Sequence, residues 1–176
     1  MRLWDKLVNK KNGLEGMVVA MNSELGTVDV RCGEETKTLT LAQLERYPQM
    51  LERRKAIIEK YDSAFKPLGV EVLEHFNDEY TSSGHLYITR LPGLDAQQRN
   101  DVITKMAEMG VATNVHYKPL PMHTAYKKLG FDIADYPNAY ARFENEVTLP
   151  LHTCLTDEQV GYVADSYINI VKEYLR

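Results

Sequence analysis

The residues best placed to do chemistry lie in the run 110–121, Gly-Val-Ala-Thr-Asn-Val-His-Tyr-Lys-Pro-Leu-Pro. Its first half is apolar and predicts a buried β-strand, which ends by delivering the polar side chains of Asn114, His116 and Tyr117. A loop stiffened by prolines follows. Because loops at strand ends commonly carry ligand-binding groups, we interpret this stretch as a candidate ligand-binding edge.

Packing is the alternative interpretation of several of these polar residues. His116 and Tyr117 would then lie beneath the loop without a ligand. For His85, the alternative to a functional role is a half-buried histidine held by a hydrogen bond. Glu144 and Glu146 have the spacing of paired carboxylates, but we interpret them as a solvated helix end.

Other kinds of catalytic site find little support in the sequence. His116, His123 and His152, taken with Cys154, match no zinc-binding spacing, so we expect no metal site. We also find no nucleophile–base pair and no glycine-rich phosphate loop.

Composition bounds the class of protein. The 176-residue chain has a net charge of −4, which argues against a nucleic-acid-binding protein. Its length suits one domain, or one domain with a small appendage. Two cysteines, Cys32 and Cys154, form no C-x-x-C pair, so we expect a reduced, cytoplasmic protein. No apolar run reaches the length of a membrane span and no signal-peptide core is present, so we expect no membrane partner.

Residues 1–41 form the predicted appendage, a small antiparallel β-meander. Strand-like runs at residues 14–21, 26–32 and 36–41 are separated by polar, glycine-containing turns. The run from Gly26 to Arg31 alternates apolar and polar residues, as a half-buried strand does. A meander of this size buries too little apolar surface to be stable alone, so we expect it to pack on the remainder or on another chain.

Residues 42–176 predict a two-layer α+β domain, with helices on one face of a mostly antiparallel sheet. The helices are predicted at residues 42–47, 49–65, 95–109, 124–129, 137–144 and from 156 to the C-terminus. The strands are predicted at residues 69–76, 85–91, 111–116 and 147–151. Asp95 to Gln98 and Thr156 to Gln159 have the pattern of capping boxes at helix starts. Pro48 should break or kink the first helical stretch.

Several motifs in this second part resemble one known family, in order and at matching spacing. They are Leu41-Ala-Gln-Leu-Glu-Arg46 with Leu51-Glu-Arg-Arg-Lys55, then Ser83-Gly-His-Leu-Tyr-Ile88, the run 110–119, and Pro137-Asn-Ala139 with Thr148-Leu-Pro-Leu-His152 and Leu155-Thr-Asp-Glu158. They are similar to the connecting helix, the HLY strand, the G-I-x-T-x-V-H-Y-x-P element and the closing block of the PLP-dependent sugar-nucleotide aminotransferases, the DegT/DnrJ/EryC1/StrS family. The resemblance implies that residues from about 41 to 176 are the C-terminal small domain of a fold-type I aminotransferase.

The resemblance also implies what this chain does not carry. The family holds PLP on a lysine of a large domain upstream of the matching region, and we expect that domain to be missing here. The upstream lysines, none in a recognisable Schiff-base context, are Lys6, Lys10, Lys11 and Lys37. We therefore expect no catalytic residue and no cofactor in this chain, although the intact family uses PLP.

The resemblance does imply that this chain contributes residues to the edge of a substrate site. The candidates beside a nucleotide sugar are Asn114, His116, Tyr117 and Lys118. His85 lies on a strand that faces the cofactor domain in the family, so it is a candidate interface residue.

Two functions are open on these grounds. The first is a truncated or split nucleotide-sugar aminotransferase, C-terminal domain only and not catalytic alone; the intact family passes an amino group from glutamate through PLP to a keto-sugar nucleotide. The alternative is a non-enzymatic binding or interaction module that binds a nucleotide sugar. A small domain without its cofactor domain exposes an apolar face, so we expect a homo-oligomer or a complex with a cofactor-domain chain, unless residues 1–41 cover that face.

Overall fold

The computed structural model describes residues 6–8 and 15–175, and the chain divides into two compact units. The first comprises residues 1–53 with 75–83, and the second comprises residues 54–74 with 84–176. Residues 1–5 and 9–14 of the predicted meander, Leu14 of its first predicted strand included, lie outside the described residues. The domain boundary between residues 41 and 42 stays a prediction.

The first unit holds a four-stranded antiparallel sheet whose strands are neighbours in chain order. The strands are β1 (Lys6–Val8), β2 (Glu15–Asn22), β3 (Thr27–Cys32) and β4 (Glu35–Thr40). Val28 and Val30 of β3 are buried with Val18 of β2, and Leu39 of β4 packs against them. The alternating pattern of β3 therefore predicted its buried face correctly. The meander is confirmed, with β1 as a strand that the sequence did not predict.

A single long helix, α1 (Leu41–Phe65), follows β4 and contains Pro48. The predicted division into two helices at this proline is wrong. Proline removes one backbone N–H donor from the helix. That loss is offset by burial further along, where the side chains fully removed from solvent are Ile57, Ile58, Tyr61 and Phe65.

The second unit is built on a three-stranded antiparallel sheet in the order β5, β6, β7. Its strands are β5 (Glu71–Val72), β6 (Tyr87–Arg90) and β7 (Glu146–Leu149). The remaining helices are α2 (Ala96–Glu108), α3 (Thr124–Lys128), α4 (Pro137–Phe143) and α5 (Asp157–Val171). The predicted α+β class is confirmed. Among the helices in the described ranges, none has both the length and the apolar character needed to cross a bilayer.

Two predicted strands are wrong in extent. The strand predicted at residues 69–76 shrinks to β5, because the chain then enters a local loop in which Phe76 bridges Thr81. The strand predicted at residues 111–116 is reduced to one isolated bridge, between Asn114 and Thr148. The reason for the second difference lies in the side chains around it and is given below.

Both predicted capping boxes are confirmed. The Asp95 carboxylate accepts a hydrogen bond from the N–H of Gln98 at 2.8 Å, and the Gln98 side chain accepts one from the N–H of Asp95 at 3.0 Å. The reciprocal pair between Thr156 and Gln159 measures 3.2 and 2.9 Å. These boxes satisfy N–H groups that the first turns of α2 and α5 leave unpaired.

Four aromatic rings lie at the centre of the second unit: Tyr61, Phe65, Tyr87 and Tyr167. The Phe65 ring centroid lies 5.5 Å from that of Tyr61, 6.1 Å from that of Tyr87 and 5.2 Å from that of Tyr167. Each tyrosine hydroxyl has a partner within the unit, as buried polar groups require. Burial raises the pKa of all three phenols, so they remain neutral hydrogen-bonding groups.

Replacing Thr89 by valine should lower the free energy of unfolding by about 1 to 3 kcal/mol. The Thr89 hydroxyl donates to the Val147 carbonyl at 2.7 Å and lies 2.6 Å from the Tyr167 hydroxyl, and valine offers neither group a partner. Urea denaturation of the full chain measures the effect. Thr104→Val is the matched control, since that hydroxyl is bonded on the exposed side of α2. Equal losses in the free energy of unfolding for the two variants would contradict the stabilising role of the buried Thr89 hydroxyl.

Candidate functional site

An open cleft of about 290 Å³ lies in the second unit. Three chain segments form its walls: residues 85–86 before β6, residues 112–114 with 116, and residues 148–151 at the end of β7. The cleft therefore brings together three of the residues singled out in the sequence, His85, Asn114 and His116. His85 is exposed there, whereas the packing interpretation had it half-buried.

The segment that runs from the end of α2 to Asn114 is held at both of its ends. Gly110 ends α2 with φ at +75°, a conformation that favours glycine. The N–H of Val111 then donates to the Met106 carbonyl at 2.9 Å, and the Val111 side chain is buried. Asn114 and Thr148 exchange two backbone hydrogen bonds of 3.1 and 2.7 Å. The segment is thereby held between α2 and β7.

The next two backbone N–H groups of this segment donate hydrogen bonds to side chains and not to a neighbouring strand. The N–H of Val115 donates to Oδ1 of Asn114 at 2.8 Å. The N–H of His116 donates to Oε1 of Glu146 at 2.7 Å. A donor bonded to a side chain is not available to a strand ladder. The predicted strand therefore stops at one bridge, and the chain opens into the wall of the cleft.

Glu146 is the buried carboxylate of this site, with 6% of its surface exposed at the start of β7. Its interpretation as a solvated helix end is wrong, because residue 146 lies in a strand and beneath the cleft-lining segment. Oε1 of Glu146 accepts hydrogen bonds from the His116 N–H and, at 3.1 Å, from the Thr148 hydroxyl. Removal from water raises the pKa of this carboxyl, while the two hydrogen bonds and the nearby His116 and Arg99 act in the opposite direction.

Arg99 of α2 supplies a buried positive charge next to Glu146. It is 2% exposed, and its Nη1 donates to the carbonyls of Phe143 at 3.0 Å and Glu146 at 3.3 Å. Its guanidinium also lies 4.6 Å from the centre of the Phe143 ring. Burial lowers the pKa of Arg99, and the charge of Glu146 opposes that change. The start of β7 is thus held by hydrogen bonds from a buried guanidinium to the backbone carbonyls of Phe143 and Glu146.

Two buried polar atoms of the cleft have no hydrogen-bond partner within the described residues. They are Nδ1 of His116 and Oγ1 of Thr113, and both residues line the cleft. Buried polar atoms are paired in the large majority of proteins. These two atoms are therefore available to bond a water molecule or a polar ligand in the cleft.

Tyr117 and Lys118 lie next to the cleft in the chain but are not among the residues of its walls. Tyr117 is 70% exposed, and its ring meets that of His116 edge-on at 4.6 Å. Lys118 is exposed, and its carbonyl lies 3.3 Å from Nε2 of His123. The predicted substrate role of these two residues stays a prediction.

The sequence did not single out Thr113, Glu146 or Arg99 as site residues. A signal for Arg99 was present, because α2 buries residues 99, 102 and 106 on one face, a spacing typical of an inward-facing helical stripe. An arginine in such a stripe indicates a buried charge that needs an anionic or carbonyl partner. Glu146 had no comparable signal, since its burial depends on segments distant in the chain.

The cleft does not fit PLP. That cofactor needs a lysine amine for its aldehyde and a carboxylate near its ring nitrogen, and the described residues lining the cleft include no lysine, arginine, aspartate or glutamate. Of the upstream lysines, Lys37 is exposed on β4, whereas the Lys6 side chain and all of Lys10 and Lys11 lie outside what the structure describes. No group of three metal-binding side chains occurs within the described part of the chain.

Residues 117–136 expose large apolar side chains, and we refer to them as the apolar segment. Its exposed members are Tyr117, Leu120, Tyr126, Leu129, Phe131 and Tyr136, with Leu129 at 73%. Tyr126 and Phe131 contact each other at 6.1 Å between ring centres. Exposed apolar surface concentrated in this way typically contacts a partner.

Comparison with known proteins shows similarity to one family. The model of the DegT/DnrJ/EryC1/StrS aminotransferase family matches residues 11–167. The spore coat polysaccharide biosynthesis protein SpsC of Bacillus subtilis is 31% identical over 137 residues, which are 76% of this chain and 35% of that protein. The dTDP-4-dehydro-2,3,6-trideoxy-D-glucose 4-aminotransferase of Saccharopolyspora spinosa is 30% identical over 144 residues, 80% of this chain and 35% of the enzyme. The chain thus spans about a third of the length of these two relatives.

A solved structure extends the likeness to the fold. The putative sugar aminotransferase Spr1654 from Streptococcus pneumoniae, in its PLP form, matches with a TM-score of 0.74 and 43% identity, over 88% of this chain and 42% of that one. Its PMP form matches with the same TM-score, 0.74, and 51% identity, over 77% of this chain and 34% of that one. The expectation of a fold shared with part of an aminotransferase is confirmed.

Proposed function

The chain belongs to the DegT/DnrJ/EryC1/StrS aminotransferase family, and we propose that its second unit forms the substrate-side edge of a nucleotide-sugar aminotransferase active site. The cleft that combines His85, Asn114 and His116 carries this proposal. An imidazole and an amide at the end of a held segment are suited to sugar hydroxyls and phosphate oxygens, which need both donors and acceptors.

The relatives support a proposal for the substrate class. The Saccharopolyspora spinosa enzyme is a 4-aminotransferase of a dTDP-linked 4-dehydro sugar, and the likeness supports a keto-sugar nucleotide for this cleft. In the complete reaction, glutamate gives up its amino group and becomes 2-oxoglutarate, while the sugar ketone becomes an amine. The unpartnered Nδ1 of His116 gives this chain a polar group that such a ligand would satisfy.

Amino transfer itself is not assigned to the described residues. The cleft offers neither the lysine nor the carboxylate that PLP requires, so we route no step of the transfer through it. We propose that the cofactor-binding residues belong to another protein segment or to another chain. The described units are then not catalytic alone, and they bind and orient the sugar nucleotide.

The apolar segment is the proposed surface for that association. Its first exposed side chain, Tyr117, follows His116 directly, and the two rings contact each other, so a partner that covers Tyr117 would also lie close to the cleft. We propose that this partner is a cofactor domain or a second copy of the chain. Burial of such side chains stabilises a complex by about 25 cal/mol for each Å² removed from water.

Binding of a nucleotide sugar tests the proposal directly. Titration of the full chain with UDP-N-acetylglucosamine in a calorimeter should give a measurable dissociation constant, and His116→Ala should weaken binding about tenfold, as loss of one good polar contact does. His123→Ala is the matched control, since His123 is exposed and does not line the cleft. Absence of binding by the unaltered chain, or equal weakening by both variants, would overturn the proposal.

The cofactor claim has its own test. Incubation of the full chain with PLP, followed by borohydride reduction and peptide mass spectrometry, should give only scattered, substoichiometric labelling of exposed lysines. One lysine labelled at full stoichiometry would show that the chain builds a PLP site, and the assignment of the cofactor to another segment would be wrong.

A second candidate function is a binding module without enzymatic activity. The misfit between the cleft and PLP favours it. Mixing the chain with a cofactor domain of a relative separates the two functions. Restored transamination of a keto-sugar nucleotide supports the enzyme, whereas sugar-nucleotide binding that needs His116, without restored activity, supports the module.

A further inference from the structure

The backbone of His116 is attached to one side chain from a distant part of the sequence. Its N–H donates to Oε1 of Glu146 at 2.7 Å, across thirty positions of the chain. The same oxygen accepts from the Thr148 hydroxyl at 3.1 Å, and Thr148 forms the backbone bridge to Asn114. One carboxylate oxygen thus ties together two walls of the cleft.

We propose that Glu146 is a positioning residue, whose carboxylate holds the backbone of His116 and thereby places the His116 side chain in the wall of the cleft. This inference rests on the proposed function for its effect on binding, but not for its effect on the loop. Glu146 is not among the residues lining the cleft, so it acts through His116 and not by contact with the ligand.

Charge makes this hydrogen bond stronger than a neutral one. A carboxylate accepts from N–H and O–H groups with about twice the strength of an uncharged acceptor. The charged and titratable groups around Glu146 are Arg99 of α2, Arg90 opposite it on β6, and the His116 side chain itself. Arg90 directs its guanidinium to Glu71, Asn145 and the Ala141 carbonyl. The charges that favour the ionised carboxylate are therefore those of His116 and Arg99.

The state of Glu146 should change with pH. Burial raises its pKa, so protonation occurs at higher pH than for a carboxyl in water. A protonated carboxyl carries a hydrogen of its own and accepts more weakly from the His116 N–H. We therefore expect the loop to be held best above the raised pKa and to loosen as pH falls through it.

Folding stability should move in the opposite direction. A carboxyl whose pKa is higher in the folded state binds its proton more tightly when folded, so its contribution to stability is fully present below the unfolded value and is lost as pH rises through the raised one. Near neutral pH, the ionised Glu146 therefore lowers the stability of the folded chain and at the same time provides a charged acceptor beneath His116.

Nuclear magnetic resonance of the full chain tests the inference without any ligand. Between pH 4 and 8, the Glu146 carboxyl carbon and the His116 amide proton should titrate with one midpoint, above the value of about 4.3 for an unperturbed glutamate. The amide proton should move downfield as pH rises. In Glu146→Gln that transition should disappear from the amide. Because imidazoles also titrate near this range, a transition that persists unchanged in Glu146→Gln would overturn the inference.

Binding gives the second readout. Glu146→Ala removes the acceptor and should weaken binding of UDP-N-acetylglucosamine about tenfold. Glu146→Gln keeps a weaker, neutral acceptor, so it should weaken binding less and remove the part of the pH dependence that comes from Glu146. Glu71→Ala is the matched control, an exposed acid of the same sheet whose partner is Arg90. Unchanged affinity in Glu146→Ala would contradict the positioning role. If the unaltered chain binds no nucleotide sugar, the proposed function fails, and the resonance titration still decides whether Glu146 holds the loop.

Discussion

Replacing Phe65 by alanine should lower the free energy of unfolding by about 3 to 5 kcal/mol. The Phe65 side chain is fully buried, and it contacts the rings of Tyr61, Tyr87 and Tyr167. Alanine in its place leaves a cavity among rings that are themselves anchored by hydrogen bonds, so they cannot collapse freely to fill it. Urea denaturation followed by circular dichroism measures the loss as a lower midpoint.

Phe131→Ala is the matched control for that experiment. Phe131 is 43% exposed, so the same truncation should cost less than about 1 kcal/mol. If both variants lost the same stability, the aromatic rings would not be the main core of the second unit.

Replacing Arg99 by methionine should cost about 3 kcal/mol or more at neutral pH. Methionine retains the apolar length of the side chain, but it leaves the Phe143 and Glu146 carbonyls without their donor. It also removes one of the two charges that lower the pKa of Glu146, the other being that of His116, so the pKa of that carboxyl rises further. The loss should therefore be smaller at pH 5 than at pH 8, because a protonated Glu146 needs no counter-charge.

The control for this prediction is Arg142→Met. Arg142 is exposed in the last turn of α4, so its replacement should change stability by less than about 0.5 kcal/mol at either pH. Denaturation of both variants at pH 5 and pH 8 decides the matter. A loss in Arg99→Met that is the same at both values would show that Glu146 is not its electrostatic partner.

The features that the sequence predicted well depend on neighbours in the chain. The capping boxes at Asp95 and Thr156 involve residues three positions apart, so local pattern was sufficient. The strands of the meander are similarly defined by alternation and by turn residues. The motif-based resemblance also identified the family, because its motifs retain their order over most of the chain.

The features that the sequence missed depend on residues far apart. The strand predicted through His116 fails there because the His116 N–H bonds to the Glu146 side chain, thirty positions further along the chain. The sequence indicates a solvated Glu146, since nothing adjacent to it in the chain shows that Arg99 and the segment of His116 cover it. At Pro48, the proline does cost helix stability, as the sequence predicts, but burial of the second half of α1 outweighs that cost. In each case a tertiary contact decides the outcome.

Resonance mapping of the full chain with millimolar UDP-N-acetylglucosamine tests the central claim most directly. That claim is that the cleft lined by residues 85–86, 112–114 with 116, and 148–151 is the nucleotide-sugar edge. We predict saturable shifts at the amides of Asn114, His116 and Thr148, with no change in the strands β1 to β4. Saturable shifts confined to the first unit, or no shifts at all, would contradict the account.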